Sequence, residues 1–148
     1  MKIISHRGNL SGIDLNRENK KWAINECLLL NFDVEIDVHY EKNEIFLGHD
    51  SPEEKIDIEY LIKNKNKLWL HLKNIDSVCF FLKNKIKFNW FWHQKDDLTL
   101  TSFGIPWCYP DKYIECGVTV VKNIKKEIPK VYGICTDYPL EWRKYNEF

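Results

Sequence analysis

Residues 33 to 38 read DVEIDV, acidic and β-branched side chains in strict alternation. Strand side chains point to opposite faces with a period of two, which puts Val34, Ile36 and Val38 on one face and Glu35 and Asp37 on the other. Two carboxylates so placed lie about 7 Å apart, repel each other in a low-dielectric interior and each resist burial. Two arrangements resolve that conflict. The acidic face of an edge strand can sit in water, or the pair can hold a cation, for which hard ions such as Mg²⁺ and Ca²⁺ suit oxygen ligands.

Strand patterns also occur at Lys2 to Ser5, Ile45 to Gly48, Lys67 to Leu72, Phe88 to Trp92, Ile105 to Tyr109, Val118 to Val121 and Val131 to Cys135. Helical spacing marks Arg17 to Leu30, where Ala23, Ile24, Cys27, Leu28 and Leu30 form an apolar stripe. It recurs at Ile58 to Asn64, Asp76 to Lys85 and Leu140 to Tyr145, with a weaker pattern from Lys122 to Glu127. Strands alternating with helices argue for parallel βαβ units. Eight strand candidates point to a (β/α)8 TIM-type barrel, yet such barrels usually take about 250 residues. This chain has 148. The expectation is therefore a compact, reduced (β/α)8 barrel with several outer helices missing, mostly between Phe88 and Val121, and a doubly wound open sheet is the alternative. No repeat or Pro/Gly-rich linker divides the sequence, so residues 1–148 are expected to form a single domain. Missing helices would leave apolar strand faces uncovered, which implies a partner subunit and hence a homo-oligomer.

Charge narrows the partners. Lys plus Arg and Asp plus Glu number 22 each, scattered along the chain, so the basic footprint of a general nucleic-acid binder is missing. The five cysteines form no CxxC pair, and several lie in apolar runs such as CLLL and VCFFL. That pattern reads as buried free thiols in a reducing compartment. The N-terminus carries no apolar leader and no run approaches ~18 apolar residues, so the expected location is cytoplasmic, away from the membrane. Six Trp are many for this length, and most are expected in the core.

The strand at Lys67 to Leu72 repeats the polar-face pattern of the first. Leu70 and Leu72 share one face, while Trp69, His71 and Lys73 share the other. Two more strand candidates end in His6-Arg7-Gly8 and in Gly48-His49-Asp50. Four successive strand ends thus offer His6 and Arg7, Glu35 and Asp37, His49, and His71 with Lys73. One histidine at a strand end is usually a satisfied structural residue; this convergence is what an active site assembled from several strand ends requires. The segments ending at His93 and at Trp107 to Tyr109 point to the same rim. His93, Trp107 and Tyr109 there either contact the alcohol part of a substrate or fill space left by absent helices.

The segments ISHRGN, RENK, FDVEIDVHYEKNEIFLGHDSP, LWLHLKN and GICTDYP resemble, in that order, the glycerophosphodiester phosphodiesterase family. The likeness is close in the N-terminal half, thins from Phe88 to Lys130 and returns at Gly133 to Pro139. It implies a barrel fold, phosphodiester cleavage, His6 and His49 as the catalytic histidines, and Arg7 and Lys73 as phosphate contacts. It also implies Glu35 and Asp37 as metal ligands, Glu18 as a supporting group, and a closing Asp137 of unassigned role. The family carries a glutamate metal ligand where this chain has His71. Imidazole as a ligand shifts preference from Mg²⁺ or Ca²⁺ toward Mn²⁺ and softer ions. The family's inserted substrate-binding segment after His49 is also missing, so its substrate does not carry over.

The expected chemistry is hydrolysis of a small soluble phosphodiester, one of His6 and His49 acting as base and the other as acid. A divalent metal, Mg²⁺ or Ca²⁺ before Mn²⁺, with Arg7 and Lys73, would offset phosphoryl charge. Attack by a neighbouring substrate hydroxyl, giving a cyclic product as in a phospholipase-like lyase, uses the same histidines. A non-catalytic barrel that binds a phosphorylated ligand is the reading from a different class.

Overall fold

A computed structural model describes residues 1–125 and 127–146. The DVEIDV segment forms the first half of β2 (Asp33–Glu41), the strand about which the sheet is organised. β2 runs parallel to β1 (Lys2–His6) on one side and to β5 (Leu68–Leu72) on the other, pairing His6 with Glu35 and Asp37 with His71. Its second half turns back in a hairpin through Lys42 and Asn43, both at positive φ, into antiparallel β3 (Glu44–Leu47). β3 pairs with the short β4 (Glu54–Ile56). Beyond β1 the parallel run continues through β10 (Gly133–Thr136), β9 (Val118–Val121) and β8 (Pro106–Cys108), and β7 (Leu98–Leu100) closes that end antiparallel to β8. β6 (Trp90–Phe91) adds to β5.

Four helices complete the described residues: α1 (Lys21–Leu29), α2 (Ile58–Asn64), α3 (Ile75–Lys83) and α4 (Pro139–Asn146). Val34, Ile36 and Val38 of β2, with Leu68, Leu70 and Leu72 of β5, pack under Ile24 and Cys27 of α1, Leu61 of α2 and Phe81 of α3. Trp142 of α4 covers Val121 and Ile134. All four helices therefore bury their apolar residues on the outer face of the sheet. A doubly wound sheet would carry helices on both faces, so that alternative does not apply.

The inner faces meet one another instead. Ile4, Trp69, Phe91, Trp107, Val118 and Cys135, from six strands, form a single cluster. Phe91 stacks on Trp107 at 4.5 Å between ring centroids and Trp69 lies 5.7 Å from Trp107, so the two ends of the parallel run curl until their side chains touch. The curl follows the right-handed twist of parallel strands, carried on by aromatic rings large enough to bridge the interior.

The expected reduced (β/α)8 barrel is not what forms. The described residues make a ten-stranded mixed sheet whose ladder is an open path from β4 to β7 with a branch at β5 and β6, and three of its pairings are antiparallel. The βα repeat fails after α3. From Asn84 to Gly133 the strands follow one another through turns, too short of sequence to carry crossover helices. Two strands, β4 and β7, escape sequence detection because three-residue edges carry too little alternation. The weak helical pattern of 122 to 127 includes Lys126, which lies outside the described residues; its other positions are irregular.

Smaller differences have local causes. The helix expected from Arg17 begins only at Lys21, because Asn19 adopts φ 57, a left-handed value that an α-helix cannot contain. Cys27, Cys108 and Cys135 are buried free thiols, but Cys79 and Cys116 are exposed. Trp69, Trp107 and Trp142 are core, whereas Trp22 and Trp92 are exposed. Helices cover the outer faces of β2, β5 and β10, while exposed apolar side chains lie on edge strand β7 (Leu98 and Leu100) and on the helices themselves (Leu29, Ile75 and Leu82). No helix among the described residues is long and apolar enough to cross a membrane.

Candidate active site

Along the inner face of the sheet, five of the six apolar floor residues are followed two positions later by a polar one, the exception being Val118, which is followed by Val120. Ile4 gives way to His6, Trp69 to His71, Phe91 to His93, Trp107 to Tyr109 and Cys135 to Asp137. Period-two geometry lifts these second residues above the aromatic floor, toward the C-terminal ends of the parallel strands. His6, Arg7, Glu35, His49, His71, Lys73 and His93 all line one cleft there, of about 420 Å³. A larger hollow of about 760 Å³ between α1 and α2 gathers lysines, asparagines and leucines but no histidine or carboxylate. Chemistry, not volume, distinguishes the cleft.

Of the two arrangements open to the acidic pair, the structure takes the interior one: Glu35 is 2% exposed and Asp37 fully buried. Asp37 lies at the bottom. Its Oδ2 accepts a hydrogen bond from Asn19 Nδ2 at 2.9 Å and faces Arg7 Nε at 3.0 Å. Its Oδ1 faces His71 Nδ1 at 3.2 Å and Lys73 Nζ at 3.8 Å. Glu35 lies nearer the opening, with Oε1 3.6 Å from His71 Nδ1 and Oε2 3.9 Å from His6 Nε2. Neither Glu35 Oε2 nor Asp37 Oδ1 has a hydrogen-bond partner among the described residues. Arg7 also donates to Glu18 at 3.2 Å, so Glu18 supports the site through Arg7.

Each of the two candidate catalytic histidines is held through Nδ1. His6 Nδ1 donates to Asp137 Oδ1 at 2.8 Å, and Asn9 Nδ2 holds the same oxygen at 2.8 Å. His49 Nδ1 lies 2.7 Å from Asp50 Oδ1. In both rings Nε2 remains for a ligand. Their settings differ, since the His49 side chain is 42% exposed and Asp50 almost wholly so. His49 sits not on a strand but on a turn that begins at Gly48, φ 155, where a Cβ would stand 1.9 Å from the Ser51 carbonyl oxygen. Only glycine fits that approach. His39 Nε2 donates to the Gly48 carbonyl at 2.8 Å and pins the turn from below.

Burial by itself would lower the pKa of His71, but Asp37 and Glu35 outweigh it and raise it to about 9. Asp37 is held well below the usual carboxylate range: burial opposes this, and His71 and Arg7 prevail. The same contest raises His6, where desolvation is overcome by the Asp137 hydrogen bond and the Glu35 charge.

Glu35, Asp37 and His71 each offer a ligand atom within 4.8 Å of the others. The donor set fits a divalent cation on three observations. Two buried carboxylate oxygens lack hydrogen-bond partners. His71 Nε2 donates to the His93 carbonyl at 2.9 Å, which leaves Nδ1 as the ligating nitrogen in the manner of metal-bound imidazoles. Within this network of ion pairs, the carboxylates Glu18, Glu35, Asp37 and Asp137 meet the permanent cations Arg7 and Lys73, leaving two negative charges to be balanced. One divalent ion or two imidazolium protons would balance them.

No family model, curated protein or solved structure matches the chain.

Sequence reasoning overlooked three supporting residues. Asn19 both donates to Asp37 and accepts its backbone N–H, at 2.9 Å each. Asn9 bridges Asp137 and Glu18. His39 continues the inward face of Asp33, Glu35 and Asp37, so the period-two pattern contained its signal. Asn9 and Asn19 fall within the ISHRGN and RENK segments, but neither alternation nor helical spacing singles them out, and their partners lie elsewhere in the chain. Arg7, at φ 57 directly after β1, is a left-handed non-glycine that costs roughly 1–2 kcal/mol. That strain turns its guanidinium under the acidic pair.

Proposed function

We propose that this protein is a metal-dependent phosphodiesterase that hydrolyses a small, soluble glycerophosphodiester-like substrate. What carries the reading is the pairing of two carboxylate-held imidazoles, His6 and His49, with buried acids and two permanent cations around one cleft. One imidazole takes the proton of the attacking hydroxyl through Nε2 and the other gives a proton to the leaving oxygen. Asp137 and Asp50 hold the tautomers that leave Nε2 available. Arg7 and Lys73 meet the phosphoryl oxygens, where fixed positive charge lowers the barrier as negative charge develops. Glu35, Asp37 and His71 are the residues that would hold a divalent ion, Mg²⁺ or Ca²⁺ by the carboxylates and Mn²⁺ by the imidazole. Such an ion supplies further positive charge to the phosphate. His93 lies where it can touch the departing alcohol.

Glycerophosphodiesters and sugar or nucleotide diesters, incubated with the protein plus Mg²⁺, Ca²⁺, Mn²⁺ or chelator and followed by phosphorus NMR, test the reading. Metal-dependent release of a monoester is the expected result, and a cyclic phosphate signal identifies attack by a substrate hydroxyl instead. His6→Ala and His49→Ala should each lower kcat at least ~10²-fold with the circular dichroism spectrum unchanged. Near-wild-type turnover in either variant removes this chemistry.

A further inference from the structure

The cleft has a second wall that the reaction itself does not use. Lining the cleft beside the proposed acid–base residues are His93, Gln94, Tyr109, Pro110 and Lys122. His93 Nε2 donates to the Asp96 carbonyl at 2.6 Å, which leaves Nδ1 as an acceptor. The His93 and Tyr109 rings meet edge to face, 6.1 Å apart and at 87°, and Tyr109 is partly exposed. Pro110 and Asp111, φ 64, form the corner of a turn closed by the Lys112 N–H on the Tyr109 carbonyl at 3.0 Å, so Tyr109 is set by rigid backbone. Lys122 follows β9 directly, two residues beyond the inward Val120.

The charge of this wall is one-sided. Among the described cleft-lining residues the only carboxylate is Glu35, which is engaged with His6 and His71. Lys122 has no carboxylate within salt-bridge distance among the described residues, and the nearby Asp111 is engaged by Lys125. Recognition of a cationic alcohol such as a choline or ethanolamine group calls for a carboxylate or an enclosing aromatic cage. Here the aromatic floor, Trp107, is buried and the one charged group is positive. Hydroxyl groups find a ring-nitrogen acceptor, a glutamine amide and a phenol.

Resting on the phosphodiesterase reading, the geometry points to Lys122, with His93, Gln94 and Tyr109, as a specificity wall. It selects diesters whose alcohol is rich in hydroxyl groups and neutral or anionic, against those whose alcohol is cationic. Lys122 acts by repelling positive charge and attracting negative charge at the alcohol; the neutral groups bind its hydroxyls. Exposure to solvent keeps the charge effect modest, on the order of tenfold.

Competition between glycerophosphoinositol and glycerophosphocholine, as a ratio of kcat/KM in one vessel, reads this selection directly. The wild-type ratio is expected to favour the inositol diester by about tenfold. Lys122→Glu should shift the ratio about tenfold or more toward choline, with Lys122→Gln between the two; because Lys122 is exposed, both variants should fold, as circular dichroism would verify. Raising salt should shrink the wild-type preference. Choline preferred by the wild type, or a ratio that neither substitution moves, overturns the proposal while leaving the phosphodiesterase reading standing. Absence of turnover on both diesters and on the wider panel overturns the reading itself, and the specificity wall with it.

Discussion

Because Asp137 accepts the Nδ1 proton of His6 at 2.8 Å and is itself buried and held by Asn9, Nε2 is the nitrogen left for the proposed proton exchange with substrate. Asp137→Asn keeps the shape but permits the wrong tautomer. It should lower kcat on the order of 10²–10⁴-fold with KM little changed, measured on whichever diester proves best. A parallel rise in KM would mean that Asp137 shapes the cleft instead of orienting His6. His71 gives a second prediction. In chelator, its pKa of about 9 stands above the unfolded value, so its contribution to stability is complete below about pH 6.5 and is lost as pH rises through 9. The melting temperature of the metal-free protein should therefore fall by several degrees between pH 7 and pH 9.5. Metal ligation needs the neutral ring, so added Mn²⁺ should stabilise more at pH 8.5 than at pH 6.5. A His71→Gln variant that keeps the same slope in chelator would assign it to another group.

At the scale of elements, turns and strand ends decide the site. The β3–β4 connection carries His49, and its path depends on Gly48 lying against the Ser51 carbonyl and on the His39 and Asp37 backbone contacts that tie it to β2. Gly48→Ala forces a shift of backbone, not of a flexible side chain. The expected result is a loss of about 1–3 kcal/mol by urea unfolding and a larger loss of kcat than that destabilisation explains. Asn19 has the comparable role before α1. By leaving the helix it gives up one turn and gains two hydrogen bonds with Asp37, donating to Oδ2 and accepting from the backbone N–H. The DVEIDV and LWLHL strands, by contrast, follow from alternation alone, since period-two burial of Val34, Ile36, Val38, Leu70 and Leu72 under three helices admits no other register.

Across the whole molecule, the aromatic floor replaces what outer helices and a continuous ladder supply in larger parallel sheets. Phe91 and Trp107 come from the two ends of the curl, and both are almost fully buried. Phe91→Ala should cost about 3–5 kcal/mol, and Trp107→Ala a similar amount. Loss of the curl should also separate His93 and Tyr109 from the acid–base residues, so these variants should lose activity before they lose helical circular dichroism. If either retains full activity, the floor is not what holds the two walls together.

The strands that carry the cleft residues, and the inward set of their side chains, were already written in the sequence. These follow from alternation, a property of each strand alone. The sequence did not determine how the strands close on one another. The reduced-barrel expectation failed because counting strands cannot distinguish a continuous parallel ladder from a curled mixed sheet; that choice depends on pairings between segments tens of residues apart and on how rings such as Phe91 and Trp107 fill the interior. Nor could it assign Asn9, Asn19 or Asp137 their partners, since hydrogen bonds across |i−j| separations of up to 131 residues exist only once the chain has packed. Local pattern fixes which way a side chain points. Only tertiary packing decides what it meets.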